Sequence, residues 1–142
     1  MQVKDVMTRS VRSVAPDTKV IEVASLMCLY RFHGLPVVED GDSLIGYIAE
    51  RDVLHSLFPT VEQLMEEGMG NVDLDREIGK YKEVLTRRVS ELMTPNPIVV
   101  SPEMHVLRAA TVMVRHRLRR IPVAENGVLL GMLSLGDVHK AI

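Results

Sequence analysis

Val3-Lys4-Asp5-Val6-Met7-Thr8 returns later in the chain as Val89-Ser90-Glu91-Leu92-Met93-Thr94, with Met7 and Met93 86 residues apart. The same spacing carries Val14 onto Val100, Pro16 onto Pro102, Val20 onto Val106, Ala24 onto Ala110, Met27 onto Met113 and Pro36-Val37 onto Pro122-Val123. Beyond Gly41 and Gly127 the spacing drops to 85, so Gly46 meets Gly131 and Asp52-Val53 meets Asp137-Val138. The lost residue falls at Asp42-Ser43, in a turn-forming stretch where a change of length costs little. An ungapped register this long marks a duplication, and a duplication sets the fold before any local motif does.

Each copy carries alternating strand and helix signals. The apolar runs 11–14 and 98–100 sit beside prolines and predict short strands. Pro16-Asp17-Thr18 and Ser101-Pro102-Glu103 supply helix-start chemistry, and Val20, Ala24 and Met27, like Val106, Ala110 and Met113, follow at helical spacing. These helices are expected to end near Arg31 and Arg117. Strands over 35–38 and 121–124, a glycine turn, strands over 44–48 and 129–133, and a short helix opening at Asp52 or Asp137 complete each copy. The expected fold class is α/β (α+β), two β-α-β-β-α repeats packed sheet to sheet with pseudo-two-fold symmetry. Residues 1–58 and 88–142 are the repeats, and 59–87 a helical connection. About fifty residues bury too little apolar surface to stand alone, so the copies share a core. Such a pair leaves two equivalent clefts between its halves, the concave places where ligands bind.

In the connection, Val61, Leu64 and Met65 predict a short helix, Gly68-Met69-Gly70-Asn71 a break, and Ile78, Tyr81 and Leu85 a second helix. Together they read as an arm covering the pair or a dimer partner.

The bulk properties narrow the function. A net charge of -2 argues against a nucleic-acid binder working by bulk charge. No signal peptide or membrane span is evident, and the single cysteine, Cys28, excludes an intrachain disulfide, so a cytoplasmic protein is expected. Cys28 lies beside core positions and is expected to be buried. The nine methionines read as core fillers, and the five histidines lack zinc-site spacing. Without a nucleophile–base pair, a metal cluster or a Gly-rich phosphate loop, no enzyme activity is expected.

The motifs now in view resemble the cystathionine-β-synthase (CBS) domain pair, or Bateman module. Val-x-Asp-Val-Met-Thr, the Val-x-Pro-Asp-x-x-Val-x-x-x-Ala helix start, Leu-Pro-Val-Val and the Gly-x-x-x-x-x-Asp ending all match in the first copy, and the second repeats them in register with Glu91, Leu92, Glu103, Ile121 and Ala124 as variants. The resemblance implies a stand-alone regulatory module that binds adenosine-containing ligands (AMP, ADP, ATP or S-adenosylmethionine) between the repeats. It also implies a homodimer of pairs and an output passed to an unidentified protein target. Catalysis in such families resides in a separate domain, not expected on this chain. Clefts that are empty, with a purely structural role in oligomerisation, are the alternative.

Gly131-Met132-Leu133-Ser134-Leu135-Gly136-Asp137 resembles the family's Gly-x-x-Thr/Ser-x-x-Asp nucleotide signature in full. The Asp137 carboxylate can accept hydrogen bonds from a ribose diol, and Ser134 can offer a hydroxyl to a phosphate. Both are also favoured helix caps. Ile98, Val99 and Ile121 with Pro122 suit a flat slot for a base. Arg119 and Arg120 are candidates to reach a phosphate, while Arg115 and Arg117 read as a solvated helix end. The first copy keeps Asp52 but has Ala49 in place of the hydroxyl, with Arg51 as a substitute charge and Glu50 opposing it. The two clefts are therefore expected to differ, with the Ser134/Asp137 site the stronger.

Overall fold

The computed structural model describes residues 1–54 and 73–142. The described elements are α1 (Val3–Val6), α2 (Val20–Tyr30), β1 (Gly34–Glu39), β2 (Ser43–Ala49), α3 (Glu50–Leu54), α4 (Leu74–Leu85), α5 (Val89–Leu92), β3 (Thr94–Pro95), α6 (Val106–Arg115), β4 (Arg120–Glu125), β5 (Val128–Ser134) and α7 (Leu135–Ala141). The duplication is visible in this order, which is mixed α/β with an antiparallel sheet.

Each repeat contributes one hairpin, β1–β2 and β4–β5, and the two meet at Ser43↔Val128 to give the order β1-β2-β5-β4. The second hairpin turns on Asn126 (φ 52) and Gly127 (φ 77), the left-handed pair that a tight two-residue hairpin requires. The first turns on Gly41 (φ 72) and Asp42 (φ 61), and Asp42 stands where the repeat spacing changes.

The strands expected at 11–14 and 98–100 shrink to single parallel bridges, Val14↔Val37 and Val100↔Val123. Val14 N–H donates to the Pro36 carbonyl at 3.0 Å and Val38 N–H to the Val14 carbonyl at 2.9 Å. Extending that ladder needs an N–H from residue 16 or residue 36, and both are proline. Pro102 and Pro122 impose the same limit on the second copy.

The long helices begin later than the proline signals suggest, at Val20 and Val106. Residues 15–18 instead close a turn, with Thr18 N–H on the Ala15 carbonyl (3.1 Å) and Ala15 N–H on Thr18 Oγ1 (3.2 Å). The carbonyls of Pro16 and Thr18 are thereby free to accept from Ser90 and Val89, each at 2.9 Å. In the second copy the carbonyls of Pro102 and Met104 accept from Lys4 and Val3, at 2.9 and 2.8 Å. The N–H groups that open α5 and α1 thus find partners in the turn of the other repeat.

The same exchange runs through the cores. Val3, with no exposed surface, packs with Val100, Ala109, Met113, Ile121 and Leu133 of the second repeat. Val89, equally buried, packs with Val20, Val23, Leu35, Val37 and Ile48 of the first. Each repeat's leading segment therefore completes its neighbour's core. Helix α4 forms as Ile78, Tyr81 and Leu85 foretell, capped by Asp73, whose Oδ1 accepts from Arg76 N–H at 3.2 Å. Its Tyr81, Val84 and Leu85 lie against the first core. The helix expected at Val61, Leu64 and Met65, and the break at 68–71, fall outside the described residues.

Cys28 is exposed rather than buried, because Met27 takes the core-facing position and the next residue turns about 100° round the helix. Among the described residues no helix is long and apolar enough to cross a membrane.

Candidate functional site

The exchanged segments also wall two concavities. Strand β3 pairs with β2 through Tyr47↔Thr94 and Gly46↔Pro95, laying the start of the second repeat across the first repeat's sheet. Thr8 makes the matching bridge to Met132 on β5, with N–H···O bonds of 2.9 Å in each direction.

The smaller cavity, about 170 Å³, has Tyr47, Ala49, Arg51 and Asp52 of the first repeat facing Ile98, Arg120 and Pro122 of the second. We call it the Asp52 cleft. The larger, about 530 Å³, has Thr8, Arg12, Tyr30, Phe32 and Gly34 facing Arg120 and Met132. We call it the Tyr30 cleft.

This arrangement corrects the expected grouping. Ile98 and Pro122 were assigned to the same slot as Ser134 and Asp137, but they lie across from Asp52. Because each leading segment crosses to the other repeat, the apolar slot of one copy meets the aspartate of the other. Ile121 is fully buried in the second core, on the opposite face of β4 from Arg120 and Pro122. Val99 and Arg119 are exposed and line neither cavity.

Ser134 and Asp137 sit together at the start of α7. Asp137 N–H donates to Ser134 Oγ at 3.0 Å, and Ser134 N–H donates to Asp137 Oδ2 at 2.9 Å, a reciprocal cap. Asp52 supplies one half of that pattern on α3, Oδ2 accepting from Ala49 N–H at 2.8 Å, and Ala49 has no side-chain oxygen to return the bond. The capping role is therefore real in both repeats, yet it does not exhaust either carboxylate, which has about four acceptor sites. The Ser134 hydroxyl also keeps its own O–H for donation. Ser134 shares a sheet face with Met132, two residues earlier, and stands opposite Arg120 in the β4–β5 register. Asp137 itself borders a shallow depression with Val6, Lys140 and Ala141.

The aromatic wall of the Tyr30 cleft was not singled out in the sequence. The Tyr30 and Phe32 rings stack with centroids 5.7 Å apart, and the Arg12 guanidinium lies 4.3 Å from the centre of the Tyr30 ring. Tyr47 packs so tightly on Gly34 that a Cβ there would lie 2.5 Å from its Cε1. The signal was available, since the second copy has His116, Leu118 and Met132 where the first has Tyr30, Phe32 and Tyr47. Burial pushes the Tyr47 phenol above its ordinary pKa, with the Arg120 guanidinium opposing the shift. His33 Nδ1 lies 3.1 Å from Glu50 Oε2, so the acid expected to oppose a phosphate faces the imidazole instead.

A family model for the CBS domain matches residues 3–59 and 89–142. The chain belongs to the CBS-domain family. As a CBS-domain pair it is 31% identical, over 136 residues, to the CBS domain-containing protein YhcV of Bacillus subtilis, covering 96% of this chain and 81% of that one. It is also 31% identical, over 155 residues, to the chloroplastic CBS domain-containing protein CBSX2 of Arabidopsis thaliana, covering 98% of this chain and 62% of that protein's length. The crystal structure of CBSX2 in complex with AMP superposes on this CBS pair with a TM-score of 0.75 at 30% identity, over 99% of this chain and 94% of that one.

Proposed function

We propose that this CBS pair is a regulatory module that binds adenosine-containing ligands in the clefts between its repeats and passes the binding event to a protein partner. The observation that carries the reading is the Asp52 cleft. There a half-buried carboxylate with acceptor capacity to spare faces an apolar slot, Ile98 and Pro122, with two guanidinium groups, Arg51 and Arg120, beside it. An acceptor for ribose, a flat apolar surface for a base and cations for phosphate are the three recognition elements a nucleotide needs. The relative CBSX2, crystallised with AMP, supports the ligand class. The Tyr30 cleft offers stacked rings and two guanidinium groups, Arg12 and Arg120.

The module works by binding and not by catalysis, its output being an equilibrium between two conformations that ligand favours unequally. Self-association into a homodimer is supported by exposed apolar side chains on both α2 and α6. Ile21 is 51% and Leu29 75% exposed, against 53% for Leu107 and 66% for Val114.

The mutual capping of Ser134 and Asp137 favours a second reading, in which that half of the pair is structural and its cleft stays empty. Thermal unfolding against AMP, ADP, ATP and S-adenosylmethionine tests both. A ligand at one hundred times its dissociation constant adds about 2.7 kcal/mol to stability. A rise lost in Asp52→Asn or Asp137→Asn supports sensing at that aspartate, and no rise with any of the four refutes it.

A further inference from the structure

Among the described residues that line the two clefts, Arg120 alone lines both. It opens β4 opposite Ser134, its guanidinium is close enough to Tyr47 to oppose the shift of that phenol, and among the described residues no carboxylate pairs with it. The symmetry of the pair calls for a second such group at the matching position of β1. That position is Gly34, and the Tyr47 ring occupies the space where its side chain would start. One guanidinium thus stands where a symmetric pair would have two.

From this we infer that the two clefts compete for Arg120, so that an anionic ligand in one cleft weakens the binding of an anionic ligand in the other. The inference rests on the adenosyl reading above and adds to it a coupling between sites. A guanidinium satisfies a phosphate by a planar, two-pronged approach, which commits it to one direction at a time. Whichever cleft fills first draws Arg120 inward, and the second phosphate meets a cleft with one cation fewer. Arg12, held over the Tyr30 ring, and Arg51 belong to one cleft each and do not carry the coupling. By reciprocity each ligand weakens the other by the same factor, roughly five- to tenfold at the low end of known couplings. A ligand without a phosphate makes no claim on Arg120 and fills both clefts independently.

The test uses calorimetric titration with AMP and adenosine on proteins with one or both clefts open. Ser10→Trp fills the Tyr30 cleft and Ile98→Trp the Asp52 cleft. Both residues are exposed, so neither change disturbs a core. Competition requires Arg120→Ala to weaken AMP in both single-cleft proteins, roughly five- to tenfold, and to leave adenosine unchanged. It also requires the second AMP on the parent protein to bind more weakly than the same cleft binds AMP alone. A loss confined to one cleft overturns the inference. So does a weakening of the second step, measured against the same cleft alone, that persists in Arg120→Ala, because direct repulsion between two phosphates would then be the cause. Two independent AMP steps on the parent overturn only the coupling, whereas no binding of AMP, ADP, ATP or S-adenosylmethionine overturns the adenosyl reading and the coupling with it.

Discussion

Replacing Gly131 by alanine tests whether the leading segments hold the pair together as described. An added Cβ at Gly131 would lie 2.6 Å from the Thr8 carbonyl oxygen and 3.1 Å from Met7 Sδ. The first contact is with backbone, and that carbonyl is held by the Met132 N–H at 2.9 Å. Relief requires moving the crossing segment away from β5, at the expense of the Thr8–Met132 bonds. Gly46, the matching position, differs in what it meets. Its added Cβ would lie 2.5 Å from Met93 Sδ, the far part of a flexible side chain, and 3.1 Å from the Thr94 carbonyl. Overpacking of this sort costs about 1–3 kcal/mol where nothing can yield. Removing a glycine's freedom from the unfolded chain returns about 0.4–1 kcal/mol in both variants.

Gly131→Ala is therefore expected to lose about 1–2 kcal/mol, and Gly46→Ala between about 0 and 1 kcal/mol. At this chain length the difference amounts to a few degrees in Tm, roughly 2–5 °C per kcal/mol. Urea and thermal unfolding of the three proteins give the ordering directly. Because Thr8 also lines the Tyr30 cleft, Gly131→Ala should alter binding there as well. An equal or larger loss at Gly46, or a gain at Gly131, would refute the argument that the backbone of the crossing segment is the rigid partner.

Three further outcomes are expected. Ser134→Ala removes the side chain that accepts from Asp137 N–H and should cost about 0.5–2 kcal/mol without any ligand, read by chemical denaturation. The Tyr47 phenol has a folded pKa raised above 10.0, so its contribution to stability is full below pH 10 and lost as pH rises through the folded value. Stability of the parent should accordingly fall more steeply above pH 10 than that of Tyr47→Phe, and parallel slopes in denaturation at pH 9 to 11 would contradict the burial argument. Leu29→Asp combined with Val114→Asp places charge on the exposed helix faces and should yield monomers in sedimentation equilibrium, with each protomer's unfolding little changed; an unaltered association state would move the dimer interface elsewhere.

The repeat made most of the fold legible, because the register from Met7 to Met93 carries every strand and helix of one copy onto the other. The hairpins were readable from glycine turns and apolar strands, as were the helix ends near Arg31 and Arg117, both left-handed at φ 55 and 57. What the residues did not reveal was which copy each segment joins. Val3 and Val89 are apolar at the right spacing for a core, but periodicity says only that a residue is buried, not against what. The misplacement of Ile98 and Pro122 follows from the same gap, since the slot and its aspartate come from different repeats. Composition overstates the strands at 11–14 and 98–100, because the prolines that stop them lie in the same stretches. Gly34 could be seen to match Arg120, but that Arg120 borders both clefts emerges only when the crossing segments are folded across the sheet.

Comparison of the two copies separates what the duplication kept from what it changed. Val14/Val100, Val20/Val106, Met27/Met113, Val37/Val123 and Val53/Val138 are identical pairs, and all ten residues are buried. The cleft positions read differently: Arg12 against Ile98, Tyr30 against His116, Phe32 against Leu118, Gly34 against Arg120, Tyr47 against Met132 and Ala49 against Ser134. Packing holds the buried positions alike, whereas the cleft positions, of which only Met132 is buried, are released from that demand. Here the interior stays symmetric while the walls exchange aromatic for aliphatic and charged for small, so the two clefts present different surfaces from one scaffold. On the proposed adenosyl reading, that asymmetry predicts unequal occupancy. A titration in which AMP fills both clefts with the same affinity and the same heat would leave the divergence of the walls without a function.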